Sequence, residues 1–360
     1  MQKKYETVIA WVTEGIESGA LRYGEKLPSE KELAERFGVS RQTVRRALED
    51  LNRDGIVESR KGSGTYAAAT GRRRTEEKLT IAAMLTYVDT YIFPSIIKGM
   101  ESEISREENV LQITMNDNTA EKERRILQDF VRMGSIDGLI AEAVRSSLPN
   151  PNLDLYRQLE KAGIPVLFVN SWYDGLDIPH VSMDDRMAGY RAAKHLLECG
   201  HMRIGGVFKS DDGQGRLRYA GYTRALMEKE IPVKDSRVIW MDSEEIREPG
   251  EVSEKILRRL QDCTACVCYN DEIACKLVNI LKGAGRGVPD DISIIGIDNS
   301  AFAEFCAVPL TSVVNPVEEL GRTAARKITD RIVHGQKMET TEFQPEICIR
   351  DSVRMIRDGT

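Results

Sequence analysis

Long apolar runs are missing from this 360-residue chain, and no stretch reaches the roughly 20 residues that a bilayer-spanning helix needs. The opening residues, MQKKYETVIAWVTEGIESG, have no signal-peptide core and no cleavage site. The expected location is therefore the cytoplasm, with no membrane partner. Catalytic signatures are missing as well: there is no G-x-x-x-x-G-K-S/T, no H-E-x-x-H and no G-x-S-x-G. The four histidines, His180, His195, His201 and His334, form no pattern that would activate a nucleophile, so an enzyme is not expected. Among the seven cysteines, Cys263, Cys266 and Cys268 are closely spaced. Structural zinc takes four nitrogen or sulfur ligands, and no second paired cluster exists. Cys266 and Cys268 lie in an apolar run that reads as a buried strand. The expectation is free thiols in a reducing compartment, no metal and no cofactor.

Charge is present, and it is unevenly placed. Residues 1–74 hold 15 Lys and Arg against 11 Asp and Glu, whereas the whole chain carries −6, which leaves −10 on residues 75–360. A small basic module on a larger acidic body suits a nucleic-acid-binding head joined to a domain with another task. The length is sufficient for two domains and a substantial core.

The stretch Leu27 to Tyr66 organises the head. Ser29 followed by Glu32 is a capping box that starts a helix. Leu33, Ala34 and Phe37 give this helix an apolar side, and Gly38 stops it. Ser40 is a good N-cap for a second helix. There Val44, Ala47, Leu48 and Leu51 recur at the spacing of one buried face, and Arg41, Gln42, Arg45 and Arg46 occupy the other. Gly55 ends that helix. Val57 to Ser59 and Thr65 to Ala67 can pair around a turn of Arg60, Lys61, Gly62, Ser63 and Gly64. Before all this, Val8, Ile9, Val12 and Ile16 share one face of an amphipathic helix that should cover the module. A helix, a tight turn and a helix with a cationic outer face suit the major groove. Arg can pair with guanine and Gln with adenine.

These residues resemble the winged helix of GntR-family regulators. The signature runs through Lys26-Leu27-Pro28-Ser29-Glu30, Leu33-Ala34, Gly38-Val39-Ser40-Arg41-Gln42-Thr43-Val44-Arg45, Ala47-Leu48, Leu51, Gly55 and Gly62-Ser63-Gly64-Thr65. The resemblance implies operator-DNA contacts at Lys31, Ser40, Arg41, Gln42, Thr43, Arg45, Lys61 and Gly62. Residues 1–69 are read as this head. Residues 70–78, which include Arg72 to Arg74, are read as a polar linker, and residues 79–360 as the body.

In the body, short apolar runs alternate with helical segments. The runs are Leu79 to Leu85, Val110 to Thr114, Gly138 to Ile140, Val166 to Asn170, Ile204 to Phe208, Val238 to Trp240, Ala265 to Tyr269 and Ile292 to Ile297. The pattern predicts an α/β domain with parallel strands covered by helices; eight strands also permit a barrel. Polar and aromatic residues cluster just after several strands, where open α/β sheets bind ligands.

Residues 79–353 resemble the effector domain of LacI-family repressors, itself similar to periplasmic sugar-binding proteins. The motifs include Phe93-Pro94-Ser95-Ile96-Ile97-Lys98-Gly99, Ile136-Asp137-Gly138-Leu139-Ile140, Arg218-Tyr219-Ala220-Gly221-Tyr222, Asn270-Asp271-Glu272 and Val288-Pro289-Asp290-Asp291-Ile292-Ser293. The resemblance implies two lobes joined by crossovers, with a sugar or nucleobase between them. The LacI-type hinge helix is replaced here by the linker, so its switch is not carried over. A GntR head on a LacI-like body is similar to the arabinose-responsive repressors of the AraR type. That similarity implies L-arabinose as effector and a homodimer on operator DNA, released when the sugar binds. Another sugar or a nucleobase is the alternative effector.

A sugar needs polar groups for its hydroxyls and aromatic faces for its C–H side. The expected cleft set is Tyr91, Phe93, Glu142, Asn170, Tyr173, Asp184, Lys209, Gln214, Arg218, Asn270 and Asp298. Tyr91, Phe93 and Tyr173 are expected to stack. Arg218 is expected to clamp ligand, and Asp184 to serve as ligand acceptor or hinge partner.

Overall fold

The computed structural model describes residues 4–17, 21, 24–53, 56–60, 63–67, 78–250 and 252–356. The expectations placed on Gly55, Lys61, Gly62, Arg72 to Arg74 and the linker up to residue 77 lie outside these residues. Contacts divide the chain into two units, Met1–Lys78 and Leu79–Thr360.

The first unit contains α1 (Lys4–Glu17), α2 (Glu30–Phe37), α3 (Arg41–Arg53), β1 (Val57–Arg60) and β2 (Gly64–Ala67). Local chemistry sets each boundary. The Ser29 side chain accepts from the Glu32 amide while the Glu32 carboxylate accepts from the Ser29 amide, which completes the capping box at α2. Gly38 closes α2 in the left-handed region, at φ 61°. There a side chain would be strained. The Ser40 hydroxyl accepts from the Thr43 amide at 3.1 Å and so caps α3. Val44, Ala47, Leu48 and Leu51 are all buried, against Val12, Leu27, Leu33 and Val57. Ile9 and Ile16 pack on the same core, so α1 covers the module. The antiparallel pair β1–β2 ends at Arg60 opposite Gly64.

The second unit alternates strands and helices in three passes. The first pass is β3 (Thr80–Leu85), α4 (Phe93–Ile104), β4 (Val110–Met115), α5 (Ala120–Met133), β5 (Gly138–Ala141), α6 (Leu153–Lys161), β6 (Val166–Val169) and β7 (His180–Met183). The second begins with α7 (Asp185–Glu198), β8 (Ile204–Lys209), α8 (Gly213–Glu228), β9 (Val238–Met241), α9 (Ser243–Arg247) and α10 (Ser253–Arg259). It continues with β10 (Ala265–Cys268), α11 (Asp271–Gly283), β11 (Ser293–Asp298), α12 (Ala301–Phe305) and β12 (Thr311–Val314). The last is α13 (Val317–His334), β13 (Thr341–Phe343) and β14 (Glu346–Cys348).

Two six-stranded sheets result, ordered β13-β7-β6-β5-β3-β4 and β14-β12-β11-β10-β8-β9. Every pairing is parallel except that of β14 with β12. Each sheet is open at two edges, so the barrel is excluded. The chain passes between the lobes after β7, after β12 and after β13. All eight anticipated strands are present. The four that sequence patterning missed are β7, β12, β13 and β14. Two of these span only three residues, and β12 opens on Thr311 and Ser312. Both are fully buried, which their hydroxyls tolerate because they bond Arg350 O and the Asp271 carboxylate.

In each lobe two helices touch backbone to backbone at a pair of glycines. A Cβ on Gly99 of α4 would overlap the carbonyl oxygen of Glu318, and one on Gly321 of α13 that of Ile96. In the second lobe, Gly189 of α7 abuts the carbonyl of Arg218, and Gly221 of α8 that of Arg186. Replacing Gly221 with Ala must push α7 and α8 apart. The expected cost is about 1–3 kcal/mol, typical of overpacking, read as a lower urea midpoint. The effector affinity should fall too, because Asp185 and Arg218 face each other across this seam.

Candidate functional site

The head presents α3 with Arg41, Gln42, Arg45 and Arg46 exposed. The helix is fixed by its buried face, so these side chains project as a set. Lys31 is exposed on α2. Ser40 and Thr43 do structural work at the start of α3, their hydroxyls 2.8 Å apart, and remain at the surface that α3 offers. Arg45 is not free: its guanidinium donates two hydrogen bonds to the Glu30 carboxylate, at 3.0 and 2.8 Å. The bond from Arg45 holds Glu30 below the usual carboxylate range. At the wing, Lys26 bridges to Tyr66 and Arg60 lies over the Tyr66 ring at 4.5 Å.

In the body, the C-terminal ends of the strands in both sheets meet across one cleft. Glu142 follows β5 and is buried. Its two oxygens accept from the Thr86 amide at 3.0 Å and the Asn170 amide group at 2.6 Å. Burial pushes its carboxyl up, and these bonds hold it back. Asn170 in turn accepts from Gln214 of the other lobe at 3.3 Å. Gln214 also donates to Asp185 at 3.3 Å.

Arg218 is 1 % exposed. It donates to Asp185 at 2.8 Å, to Asp298 at 3.2 Å and to the Tyr269 carbonyl, and its guanidinium lies 4.6 Å from the centre of the Tyr269 ring. Asp298 then accepts from Tyr91 of the first lobe at 2.5 Å. The network therefore leaves one lobe at Asn170 and returns to it at Tyr91. Lys209, half-buried, lies between Asp212 at 3.5 Å and Asp211 at 4.0 Å. Burial alone would lower its ammonium, but these two carboxylates outweigh it and hold it above its ordinary range. Further bonds close the cleft rim: Ser146 to Asp212 at 2.9 Å, Ser147 to the Ser210 carbonyl at 2.5 Å and Asn118 to Ser243 at 2.9 Å.

Tyr91, Asn170 and Asp298 adopt φ of 58°, 65° and 100°. Such backbone is costly for non-glycine residues, about 1–3 kcal/mol each, and clusters at ligand clamps. All three lie in the network just described.

The structure brings together Tyr91, Glu142, Asn170, Lys209, Gln214, Arg218 and Asp298. Three of the four other expected residues are placed differently. Tyr173 is not a stacking face: it packs on Tyr156 and Phe168, and its hydroxyl donates to buried Glu123 at 2.7 Å. Asp184 lies between β7 and α7, where the chain crosses from one lobe to the other. It caps α7 through the Met187 amide and accepts from Gln344 at a crossover. Asn270 caps α11 through the Ile273 amide at 2.9 Å. Phe93 is core, edge-on to Tyr87 at 5.8 Å. Sequence reasoning passed over Asp185, Asp212 and Tyr269, all in this network, and left Asp271, part of the motif after the seventh strand, out of the cleft set. Among the described residues no cluster could hold a metal ion.

Together these features define a class: a DNA-binding transcriptional regulator with a separate ligand-binding domain. Comparison with known proteins agrees. Residues 4–67 match the model of the bacterial regulatory proteins of the gntR family, and residues 193–353 that of the periplasmic binding protein-like domain. The arabinose metabolism transcriptional repressor of Geobacillus stearothermophilus is 35% identical over 99% of this chain and 98% of its own length. That of Halalkalibacterium halodurans is 35% identical over 98% and 97%. The crystal structure of the transcription regulator CcpA of Lactococcus lactis superposes with a TM-score of 0.68 at 26% identity, over 77% of this chain and 100% of that one. The chain belongs to the family of arabinose metabolism transcriptional repressors.

Two measurements check this geometry. Arg45→Ala should weaken specific operator binding by about 1–3 kcal/mol in a gel-shift titration, with the fold intact because Arg45 lies opposite the buried stripe. The second concerns Asp271, which accepts from Ser300 and Ser312. Burial, reinforced by Asp298, pushes its carboxyl up from 3.8 to about 7. The folded protein then holds this proton more tightly than the unfolded chain does. Stability should therefore fall as pH rises from 4 to 7, by up to about 1.4 kcal/mol per unit from this group. Urea unfolding of Asp271→Asn across that range should lack this slope.

Proposed function

We propose that the protein is a cytoplasmic homodimeric repressor of sugar-utilisation genes, with L-arabinose as the effector that releases it from its operator. The observation that carries the sugar reading is the excess of acceptors in the cleft. Glu142, Asp185, Asp211, Asp212 and Asp298 surround only Lys209 and Arg218. A neutral polyol, rich in hydroxyl donors, complements such a site, and an anion would be repelled. The family's role in arabinose metabolism supports L-arabinose among the polyols.

The proposed effector residues are Tyr91, Glu142, Asn170, Lys209, Gln214, Arg218 and Asp298. The proposed DNA contacts are Lys31, Ser40, Arg41, Gln42, Thr43 and Arg45, with Lys61 and Gly62 of the wing. The head is taken as residues 1–69, the linker as 70–78 and the body as 79–360. One helix-turn-helix reads one half-site, so a two-fold dimer on a palindrome follows. Sugar binding in the cleft biases the lobes toward the closed arrangement and alters how the bodies pair. The linker then changes the spacing or freedom of the two heads. Coupling of this kind is typically ~1–3 kcal/mol and reciprocal.

Calorimetry with a panel of pentoses, hexoses and nucleobases, with and without operator duplex, tests the reading. L-arabinose should bind most tightly, and saturating operator should weaken it by the same factor by which the sugar weakens operator binding. Tighter binding of another member would reassign the effector, and equal sugar affinity in both titrations would refute release. Glu142→Gln should still bind operator but lose sugar affinity by about 1.5–3 kcal/mol, tenfold or more, and so fail to release.

A further inference from the structure

A cavity of about 250 Å³ opens between the lobes at the cleft rim, and of the proposed effector residues it includes Gln214. Ser146, Ser171, Trp172 and Asp174 line it from the first lobe. Arg186 of α7 and Gly213, Arg216 and Leu217 of α8 line it from the second. Its electrostatics are opposite to those of the cleft. The carboxylates behind it are already committed: Asp185 to Arg218 at 2.8 Å and Asp212 to Lys209 at 3.5 Å. The guanidinium groups of Arg186 and Arg216 have no hydrogen-bond or ion-pair partner among the described residues, and both are exposed at the cavity. Trp172 is held by His180, stacked on it at 3.7 Å with the planes 2° apart, which keeps a rigid ring in the wall.

We propose that this cavity is a second ligand site, for a phosphorylated monosaccharide. Two arginines at one opening recognise phosphate oxygens by charge-assisted, forked hydrogen bonds. The Trp172 ring suits the C–H face of a sugar. The Ser171 hydroxyl, which donates to the Ala143 carbonyl at 3.1 Å, keeps its acceptor side for a sugar hydroxyl. Asp174 selects between ligands: its carboxylate accepts from hydroxyls and repels a bare anion, which favours a sugar phosphate over inorganic phosphate. Because the walls come from both lobes, a ligand here stabilises the closed body, the same form that the cleft ligand is proposed to favour. Ligands that favour one form enhance each other's binding.

Calorimetry on the full-length protein, with ribose 5-phosphate, glucose 6-phosphate, the two parent sugars and inorganic phosphate as probes, tests this. At least one sugar phosphate should bind, more tightly than its parent sugar and than inorganic phosphate. The double variant Arg186→Ala/Arg216→Ala should lose about tenfold or more of that affinity. Its L-arabinose affinity should stay that of the wild type, because neither arginine belongs to the cleft set. No binding of either sugar phosphate, affinity unchanged in the double variant, or phosphate binding as tightly as the esters would each overturn the proposal. L-arabinose binding measured on the same samples separates these outcomes from a failure of the effector assignment.

Discussion

The body depends on how it accommodates one buried cation. Removing a guanidinium from water is expensive, and only close, well-directed carboxylates offset it. Arg218 meets that requirement with Asp185 from the start of α7 and Asp298 from the end of β11. Burial alone would lower the guanidinium's proton affinity, but these two carboxylates outweigh it and hold the charge on. Asp185 is pushed up to about 6 by burial, with Arg218 opposing. The arrangement also ties the second lobe to the first, because Asp298 takes the Tyr91 hydroxyl and Asp185 takes Gln214, which reaches Asn170. Structural neutralisation and the contact between the lobes therefore rely on the same two carboxylates.

The head solves a milder version of the same problem. Arg45 is exposed, and Glu30 pairs with it on the protein surface, where such a bond contributes little to stability. In the proposed DNA contact, a phosphate or a guanine edge would displace that carboxylate. The helix itself needs no such support, since Val44, Ala47, Leu48 and Leu51 hold it from below.

Much of this was legible in the sequence because local chemistry dictated it. The capping box at Ser29, the stop at Gly38 and the four-residue stripe of α3 follow from side chains acting on neighbouring backbone. The eight anticipated strands were legible because each is built mainly of apolar residues. What failed was finer. In Asp184-Asp185 and Asn270-Asp271, the first residue was chosen and the second is the one that enters the network. In each pair the first side chain turns back to cap its helix, and the second, one position later, points inward at Arg218 or at Ser300 and Ser312. Residue type cannot distinguish the two, because the outcome depends on where the helix begins. Tyr173 failed for a related reason: its partner Glu123 lies 50 residues away, and no local pattern announces a buried carboxylate in the first lobe.

The glycine seam between α7 and α8 has a consequence for altering ligand choice. Asp185 and Arg218 are locked to each other by two main chains in contact, so residues of the second lobe cannot be enlarged or shifted independently. In the first lobe the glycine pair joins α4 and α13, whereas Glu142 and Asn170 sit on loops after β5 and β6. A regulator redirected to a new small molecule should thus acquire its changes mainly in the first lobe. The second would serve as the fixed jaw against which new specificities are tried.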